Sequence, residues 1–515
     1  MGKDTFYITT PIYYVNASPH IGHAYATITA DVIARFKRMW GYKVFFSTGT
    51  DEHGQKILES AKALNWTPKE HVDSYSQVFK DAWKRLHISY DDFIRTTEPR
   101  HEKVVKYIVE RLYDKGDIYK GIYEGWYCIP CETFLQEDEL KDGNCPNCGR
   151  PVIWNQEEDY FFRMSRYQGQ LLNYIEENPD FVKPDTRRQE LLNRIKLGIK
   201  DLCISRKGLT WGIPLPFDEG YSIYVWVDAL INYLTVIGYP EDKERFETFW
   251  PAVHLVGKDI MWFHAAIWPA MLMALGVKPP RQVFVHGFWT VKQEKMSKSK
   301  GNVINPIEMA DILKSKGFDE DISIDAVRYF LMREVPLGLD GEYSEESFIH
   351  RINSDLANDL GNLFFRSVGI INKYGEGIVP GEGVIEGDLL TMKEDIVSHL
   401  DSSMTSFEYT KVLAEIWAFI NAINKYLDQQ APWTLIKDGK KEEFRDVMFN
   451  VFEGIRNIGI LISPFMPAVS KYLLESLGLD PLTSLSKESL KGWGRLNSEW
   501  KIPGVKPLFP RIEVS

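Results

Sequence analysis

Cysteine is scarce here, and basic charge is not in excess. The chain of 515 residues holds 5 Cys, and its 61 Lys and Arg are outnumbered by 72 Asp and Glu, for a net charge of −11. So few cysteines exclude a disulfide-dense secreted scaffold. The acidic balance excludes a protein that coats nucleic acid through bulk charge. It does not exclude a partner such as a folded RNA, which needs only a local cationic track and stacking aromatics. No apolar run reaches transmembrane length. No cationic stretch with an apolar core precedes the first strand residues near Phe6, so no signal or transit peptide is expected. Met-Gly opens the chain, but Phe6 stands where a myristoylation signal needs Ser or Thr. A cytoplasmic protein with no membrane partner is the expectation. At this length roughly two to four domains are expected.

What is present is organised around Thr9 to His23, TTPIYYVNASPHIGH. Phe6, Tyr7 and Ile8 lead into Thr9 and Thr10 as a strand, with Pro11 as its stop. From Ile21 the apolar residues Ala24, Ile28, Val32, Phe36 and Met39 follow a helical period to Gly41. A strand that runs directly into a helix N-terminus opens a doubly wound α/β sheet, and that N-terminus attracts anions. His20 and His23 share one face of the first turn, with Gly22 leaving the backbone bare between them. Two imidazoles there suit a nucleoside triphosphate; a pair of surface histidines at a helix start fits the tetrapeptide equally well.

Far downstream lies Lys295 to Ser299, KMSKS, followed by Lys300, Gly301 and Asn302. A cationic loop of this kind can fold over a triphosphate and stabilise charge as pyrophosphate leaves; alone it is also an ordinary solvated loop. Taken together and in this order, His-Ile-Gly-His and Lys-Met-Ser-Lys-Ser resemble the motifs of the class I aminoacyl-tRNA synthetases, and nearly the whole chain is similar to the methionine-specific family among them. The resemblance implies a Rossmann-like catalytic domain in two halves, residues 1–115 and 222–302, a connective insertion at 116–221 and a small helical connector at 303–344. An all-α anticodon-binding domain would occupy 345–515.

After the first helix, Val44 to Thr48 reads as a second strand, and Asp51 follows it where doubly wound sheets place ligands. In the family the matching Asp pairs with the amino group of methionine; Asp51 could also cap a helix that starts near Gln55. Further helices are expected near Val72–Leu86 and His101–Lys115, with a strand around Phe93 to Arg95.

Cys128-x2-Cys131 and Cys145-x2-Cys148 form two knuckles separated by thirteen residues, the spacing of a closed four-sulfur Zn2+ site. Four protein ligands leave no open position, so the metal would be structural. Disulfides are the alternative, and nothing else marks the chain as secreted. Cys203 has no partner nearby in sequence and reads as core. Arg206, just beyond it, would reach the triphosphate if the resemblance holds; a surface ion pair is the alternative. The insertion is shorter than the editing insertions of the isoleucine, valine and leucine enzymes, which fits methionine.

Tyr224 to Tyr233 reads as a strand end that enters a helix, and periodicity alone makes its aromatics plain core. The resemblance implies instead that Trp226, Ala229, Leu230 and Tyr233 line a methionine pocket with Ile12, Tyr14, Ile260, His264 and Trp268. Aromatic walls suit an unbranched thioether, because sulfur makes good contacts at ring edges. The family commonly has Pro where this chain has Leu230. Asp259 ends another strand and could bond a ribose hydroxyl. Gln282 to His286 is a further strand, and Gly287 behind it lets adenine lie against backbone.

From about Glu345 long helical patterns dominate: Ser347–Tyr374, Leu389–Met404, Tyr409–Gln429, Glu442–Leu461 and Pro467–Leu477. Periodicity implies a bundle and nothing about RNA. The resemblance implies that Asn362 and Arg366 contact anticodon bases and that Trp433, after Pro432, stacks on the first of them; without it Trp433 reads as a plug between helix ends.

The activity implied is activation of L-methionine with ATP, accompanied by Mg2+, and transfer to the 3′ end of tRNA(Met) for initiation and elongation. His20, His23, Lys295 and Lys298 would be catalytic. Relatives that continue into an extra tRNA-binding, dimer-forming domain make a monomer, or one served by a separate tRNA-binding subunit, the expectation for this chain. Two rivals are weaker. A small nucleotidyltransferase lacks the second motif and the bundle, and a non-catalytic paralogue would tend to lose the two histidines and two lysines.

Overall fold

The computed structural model describes residues 4–129, 133–135, 137–146, 148–291, 294–295, 303–497 and 500–513. In chain order, the elements that position the site begin with β1 (Thr5–Tyr14), α1 (Ile21–Met39), β2 (Lys43–Asp51) and α2 (Pro68–Arg85). They continue with β3 (Asp92–Arg95), α3 (Pro99–Asp114), β4 (Ile118–Cys128), β5 (Ile153–Phe162) and β6 (Val182–Lys183). Then come α4 (Val225–Thr235), β7 (Val253–Gly257), α5 (Trp268–Leu275), β8 (Gln282–His286) and α6 (Glu320–Arg333).

Six of these strands form one sheet in the order β3-β2-β1-β7-β8-β6, and every neighbouring pair is parallel. Parallel pairing buries both faces, and β7 and β8 are almost wholly buried. One face is covered by α1 and α2, whose core residues Phe36, Phe79 and Trp83 are continuous with the connector and the bundle. The other is covered by α3, α4 and α5 in a second core that reaches into the insertion. Pro11 does not stop β1. The strand runs on to Tyr14 with a register shift between Thr9 and Ile12, which accommodates the missing proline N–H.

The insertion is an antiparallel sheet built on β4 and β5, paired from Ile118–Phe162 to Tyr127–Ile153. Cys128 is the last residue of β4. β6, within the stretch between the two catalytic halves, returns to the edge of the central sheet beside β8.

Beyond residue 344 the described elements are helices. Glu345–Tyr374 is a single run, α-helical to Arg351, π-helical over Ile352–Gly361 and α-helical again as α7 (Asn362–Tyr374). Gly387–Thr405, Tyr409–Gln430, Lys441–Ile462 and Pro467–Ser476 complete the bundle. Its joint with the central sheet's helices is a fully buried ion pair. The Arg328 guanidinium on α6 donates to Asp31 of α1 at 2.7 Å, to the Leu86 carbonyl at 3.0 Å, and to the Phe465 and Pro464 carbonyls of the bundle at 2.9 and 3.0 Å. Asp31 also accepts from Arg35 and Ser89. Burial opposes its charge, yet these partners hold the carboxyl down at about 2.

Removing one partner of such a pair leaves the other charged and buried. Arg328→Ala is therefore expected to cost about 3–5 kcal/mol in urea unfolding, whereas Arg35→Ala, at a partly exposed position, costs about 1 kcal/mol. Equal losses would contradict the assignment of Arg328 as the joint.

Candidate active site

β1 stays paired with β2 to their ends, Tyr14 opposite Asp51, but its pairing with β7 stops after Thr9 and His254, so β1 and β7 part at the point where the strand order reverses. α1 begins in that crevice. Its cap is made by the two histidines: His20 Nδ1 accepts from the Gly22 N–H at 3.1 Å, and His23 Nδ1 accepts from the His20 N–H at 3.2 Å. A ring that accepts at Nδ1 carries its proton on Nε2. The rings stack at 3.8 Å and 22°, so the helix N-terminus presents two Nε2–H donors side by side. Burial, with the neighbouring His20, holds the His23 pKa well below the ordinary imidazole value, so His23 is neutral. Tyr13 fixes its ring face at 4.8 Å and bonds Thr27 one turn further along α1. Gly22 has a local cause: a Cβ there would lie 2.9 Å from the His20 ring that folds over it. The Ile21 N–H donates to the Ile304 carbonyl at 2.9 Å, which anchors the chain where it re-enters after the Lys-Met-Ser-Lys-Ser segment. Lys295 ends a short hairpin strand paired with Thr290, whereas Lys298 lies outside the described residues.

Asp51 ends β2, buried, with its carbonyl accepting from the Val15 N–H. It does not cap the next helix, whose N-cap is Gly54 with no side-chain bond. The loop that follows is pinned from several directions. The buried Glu52 carboxylate accepts from Thr50, Arg95 and Thr97, and its carbonyl accepts from the Trp211 indole. The His53 carbonyl accepts from the Tyr14 hydroxyl at 2.7 Å. The His53 ring meets Asp228 of α4 at 2.7 Å, and the other oxygen of Asp228 meets His101 of α3 at 2.7 Å. Asp228 directly precedes Ala229 and Leu230, so this bridge holds α4 against the Asp51 loop.

The expected pocket residues form a connected ring cluster. Trp226 stacks on Phe263 at 3.9 Å, and Tyr233 lies 5.7 Å from the His264 ring and 6.2 Å from Trp268. A π-helical turn over Phe263–Ile267 presents His264. Its Nδ1–H donates to the Ile260 carbonyl at 3.0 Å, and its Nε2 accepts from the Tyr233 hydroxyl at 2.7 Å. Burial holds His264 down at about 4, so it is neutral. The Tyr7 hydroxyl donates to the Tyr233 carbonyl and ties α4 to β1. Ile12 and Tyr14 are half-buried at the end of β1.

Other expected residues have different surroundings. Arg206 packs its guanidinium over Tyr224 at 4.2 Å and near Tyr127 at 5.4 Å, and donates to the Ser205 carbonyl. Asp259 is exposed in the turn after β7. Gly287 is required by the Leu339–Asp340 backbone: a Cβ would sit 2.1 Å from the Leu339 carbonyl oxygen. In the bundle, Arg366 pairs with Asp428 at 2.6 Å and, with Gly369, Ile370, Lys373, Tyr374 and Trp433, lines a hollow of about 330 Å³. Asn362 is exposed one turn earlier, and Pro432 is buried as the first residue of the helix that carries Trp433.

In the insertion, Cys128, Cys145 and Cys148 bring their sulfurs within 4.8 Å of one another, with Cys128 and Cys148 at 3.5 Å. Tetrahedral Zn–S bonds of about 2.3 Å require S···S edges of about 3.8 Å, so the three sulfurs fit such an ion. Cys131 lies outside the described residues.

Sequence comparison agrees with this geometry. A profile described as tRNA synthetases class I (M) matches residues 6–152 and 148–368, and one described as the anticodon binding domain of methionyl tRNA ligase matches residues 379–513. The chain belongs to the class I (M) tRNA synthetases. The methionine--tRNA ligase of Caldanaerobacter subterraneus subsp. tengcongensis is 51% identical over 99% of this chain and 80% of that protein. The Bacillus subtilis methionine--tRNA ligase is 45% identical over 99% of this chain and 78% of its own length. The structure of the Mycobacterium tuberculosis methionyl-tRNA synthetase in complex with methionyl-adenylate superposes with a TM-score of 0.93 at 40% identity, covering 99% of this chain and 100% of that one. Among the described residues no helix is long and apolar enough to cross a membrane.

Sequence reading missed Glu52, His53, His101, Asp228 and His254, a buried ring on β7 that accepts from the Trp268 indole N–H at 3.2 Å and meets the Thr9 hydroxyl at 2.8 Å. The signal for Asp228 was a charge inside the apolar run VWVDALI; its partners are 175 and 127 residues away in sequence and could not be named from it. Burial pulls the His53 pKa down, but Asp228 outweighs it and raises the value above the ordinary one. Its contribution to stability is therefore full below about pH 6.5 and is lost as pH rises through the raised value. Urea unfolding from about pH 6 to about pH 9 is expected to show this loss in the wild type and not in Asp228→Asn. The same slope in both would contradict the bridge.

Proposed function

We propose that this chain activates L-methionine with ATP and transfers it to the 3′ end of tRNA(Met), in the cytoplasm. The observation that carries the reading is the pair of imidazoles that cap α1 beside the point where β1 and β7 part, with the aromatic cluster tied to β1 through Tyr7 and Tyr233. The methionine carboxylate attacks the α-phosphorus in line. A carboxyl–phosphate bond forms, the bond to the bridging oxygen breaks, and pyrophosphate leaves. His20 and His23 donate to the phosphate oxygens from the helix, and Lys295 and Lys298 stabilise the departing charge from the loop. Because His23 is neutral, it serves as a hydrogen-bond donor without adding a buried cation. Arg206 serves the triphosphate, Asp259 the ribose, and Gly22 and Gly287 give the nucleotide its backbone contacts. In the second step the terminal 2′-hydroxyl attacks the carbonyl carbon and AMP leaves.

Asp51 takes the methionine ammonium, held in place by the Glu52 and His53 anchors. Ile12, Tyr14, Trp226, Ala229, Leu230, Tyr233, Ile260, His264 and Trp268 take the side chain. Asn362, Arg366, Pro432 and Trp433 read the anticodon, with the hollow beside Trp433 as the place for a splayed base. Cys128, Cys131, Cys145 and Cys148 hold Zn2+, which when bound clamps the two knuckles into one unit; Mg2+ accompanies ATP. The catalytic halves are 1–115 and 222–302, flanked by the insertion at 116–221, the connector at 303–344 and the anticodon domain at 345–515.

The test is charging of tRNA(Met) with labelled methionine, together with Lys298→Ala. That variant is expected to lower the rate of adenylate formation about 100-fold or more with methionine affinity changed less than about threefold. Equal losses in rate and affinity would contradict a transition-state role for the loop. No charging by the wild type would contradict the function.

A further inference from the structure

Asp228 is buried in the first turn of α4, and each of its carboxylate oxygens accepts from an element far away in sequence. One takes the His53 ring at 2.7 Å, two residues beyond Asp51. The other takes the His101 ring of α3 at 2.7 Å. His101 also meets the Thr235 hydroxyl at 3.0 Å. Asp228 and Thr235 are seven residues apart and share one face of α4, so α3 grips that face at two points. Trp226, Ala229 and Tyr233 recur at spacings of three and four on a different face of the same helix. The bridge thus holds α4 from the face that the expected pocket residues leave free.

The two halves of the site are anchored separately. The Asp51 loop is held by the Glu52 bonds and by the Tyr14 hydroxyl on the His53 carbonyl, and His53 then joins it directly to α4 through Asp228. On the phosphate side, His20 and His23 are fixed by their own cap bonds, by the bond between Tyr13 and Thr27, and by the Ile21 N–H on the Ile304 carbonyl. None of these bonds passes through Asp228. Replacing Asp228 by Asn keeps the shape but turns one acceptor oxygen into a donor, which faces a buried imidazole donor and breaks one of the two bonds. The loop and α4 then lose their common anchor while the helix N-terminus keeps its own.

We propose that Asp228 is a positioning residue for the amino-acid half of the reaction: by joining the Asp51 loop to α4 it sets the span between the group that takes the methionine ammonium and the wall that takes its side chain, and it leaves the ATP half unaffected. This inference rests on the methionine-activating reading above.

The experiment is methionine-dependent ATP–pyrophosphate exchange, with KM for L-methionine and KM for ATP measured separately. Asp228→Asn is expected to raise KM for methionine about tenfold or more and to change KM for ATP less than about threefold. His101→Leu, which removes a donor behind α4, shifts the two constants in the same unequal way. His101→Gln, whose Nε2 can donate to Asp228 from about the same place, restores KM for methionine to within about threefold of the wild type. A bridge that served folding alone would lower the active fraction, and so the rate, with both KM values unchanged. That result in folded Asp228→Asn, or a rise of both KM values by the same factor, would overturn the proposal. No difference between the two His101 variants would overturn it as well. If Asp228→Asn does not fold, the His101 pair carries the same comparison. Wild-type protein that shows no methionine-dependent exchange at all would instead overturn the underlying function.

Discussion

The structure depends on one topological constraint: β1 must pair in parallel with strands on both sides while the chain reverses its direction of winding beside it. β1 and β7 then part beyond Thr9 and His254, and the crevice between them is closed by the elements that follow. Here those elements supply a helix N-terminus capped by two imidazoles, a buried Asp51 and an aromatic cluster. Parallel pairing also buries both faces of the sheet, so polar groups near the crevice must find partners inside the protein. The side chains of Thr9, Glu52, His53, Asp228 and His254 are the result. Each is bonded to an element distant in sequence, and together they set the spacing of the walls.

Two buried ionic joints act at different ranges. Asp228 between His53 and His101 ties three elements around the site. Arg328 ties α1, the loop after α2 and the bundle through one guanidinium whose donors are satisfied by a carboxylate and three carbonyls. α1 is common to site and joint: its N-terminus carries His20 and His23, and Asp31 lies three turns along it. The bundle is thus docked onto the helix whose N-terminus carries the two histidines. Buried pairs are poor contributors to net stability but strong specifiers of geometry once formed. That suits a protein whose two ends must engage one tRNA.

Much of this was legible in the chain. The strand-to-helix opening, the strand Gln282–His286 and the five helical patterns of the bundle follow from local periodicity, which needs no knowledge of partners. The two motifs and the cysteine spacing were legible because their chemistry is local. Four readings met a further structural cause. Pro11 lies inside β1 because a register shift absorbs it. Gly22 is forced by the His20 ring and Gly287 by the backbone at Leu339. Asp51 leaves the capping of the next helix to Gly54. The anchors Asp228 and His254 were illegible for a common reason: a single polar residue in an apolar run says that a partner exists, and only the fold says which one; Glu52 stands among polar neighbours, TDEH, and nothing local sets it apart.

The most direct test of the account is ATP–pyrophosphate exchange measured separately with each of the twenty amino acids, without tRNA. The account predicts exchange with methionine and none of comparable rate with the others. Exchange driven by a different amino acid would contradict the assignment of the aromatic cluster while leaving the adenylating crevice intact. Folded, zinc-loaded protein that exchanged with none, with or without tRNA, would contradict the central claim.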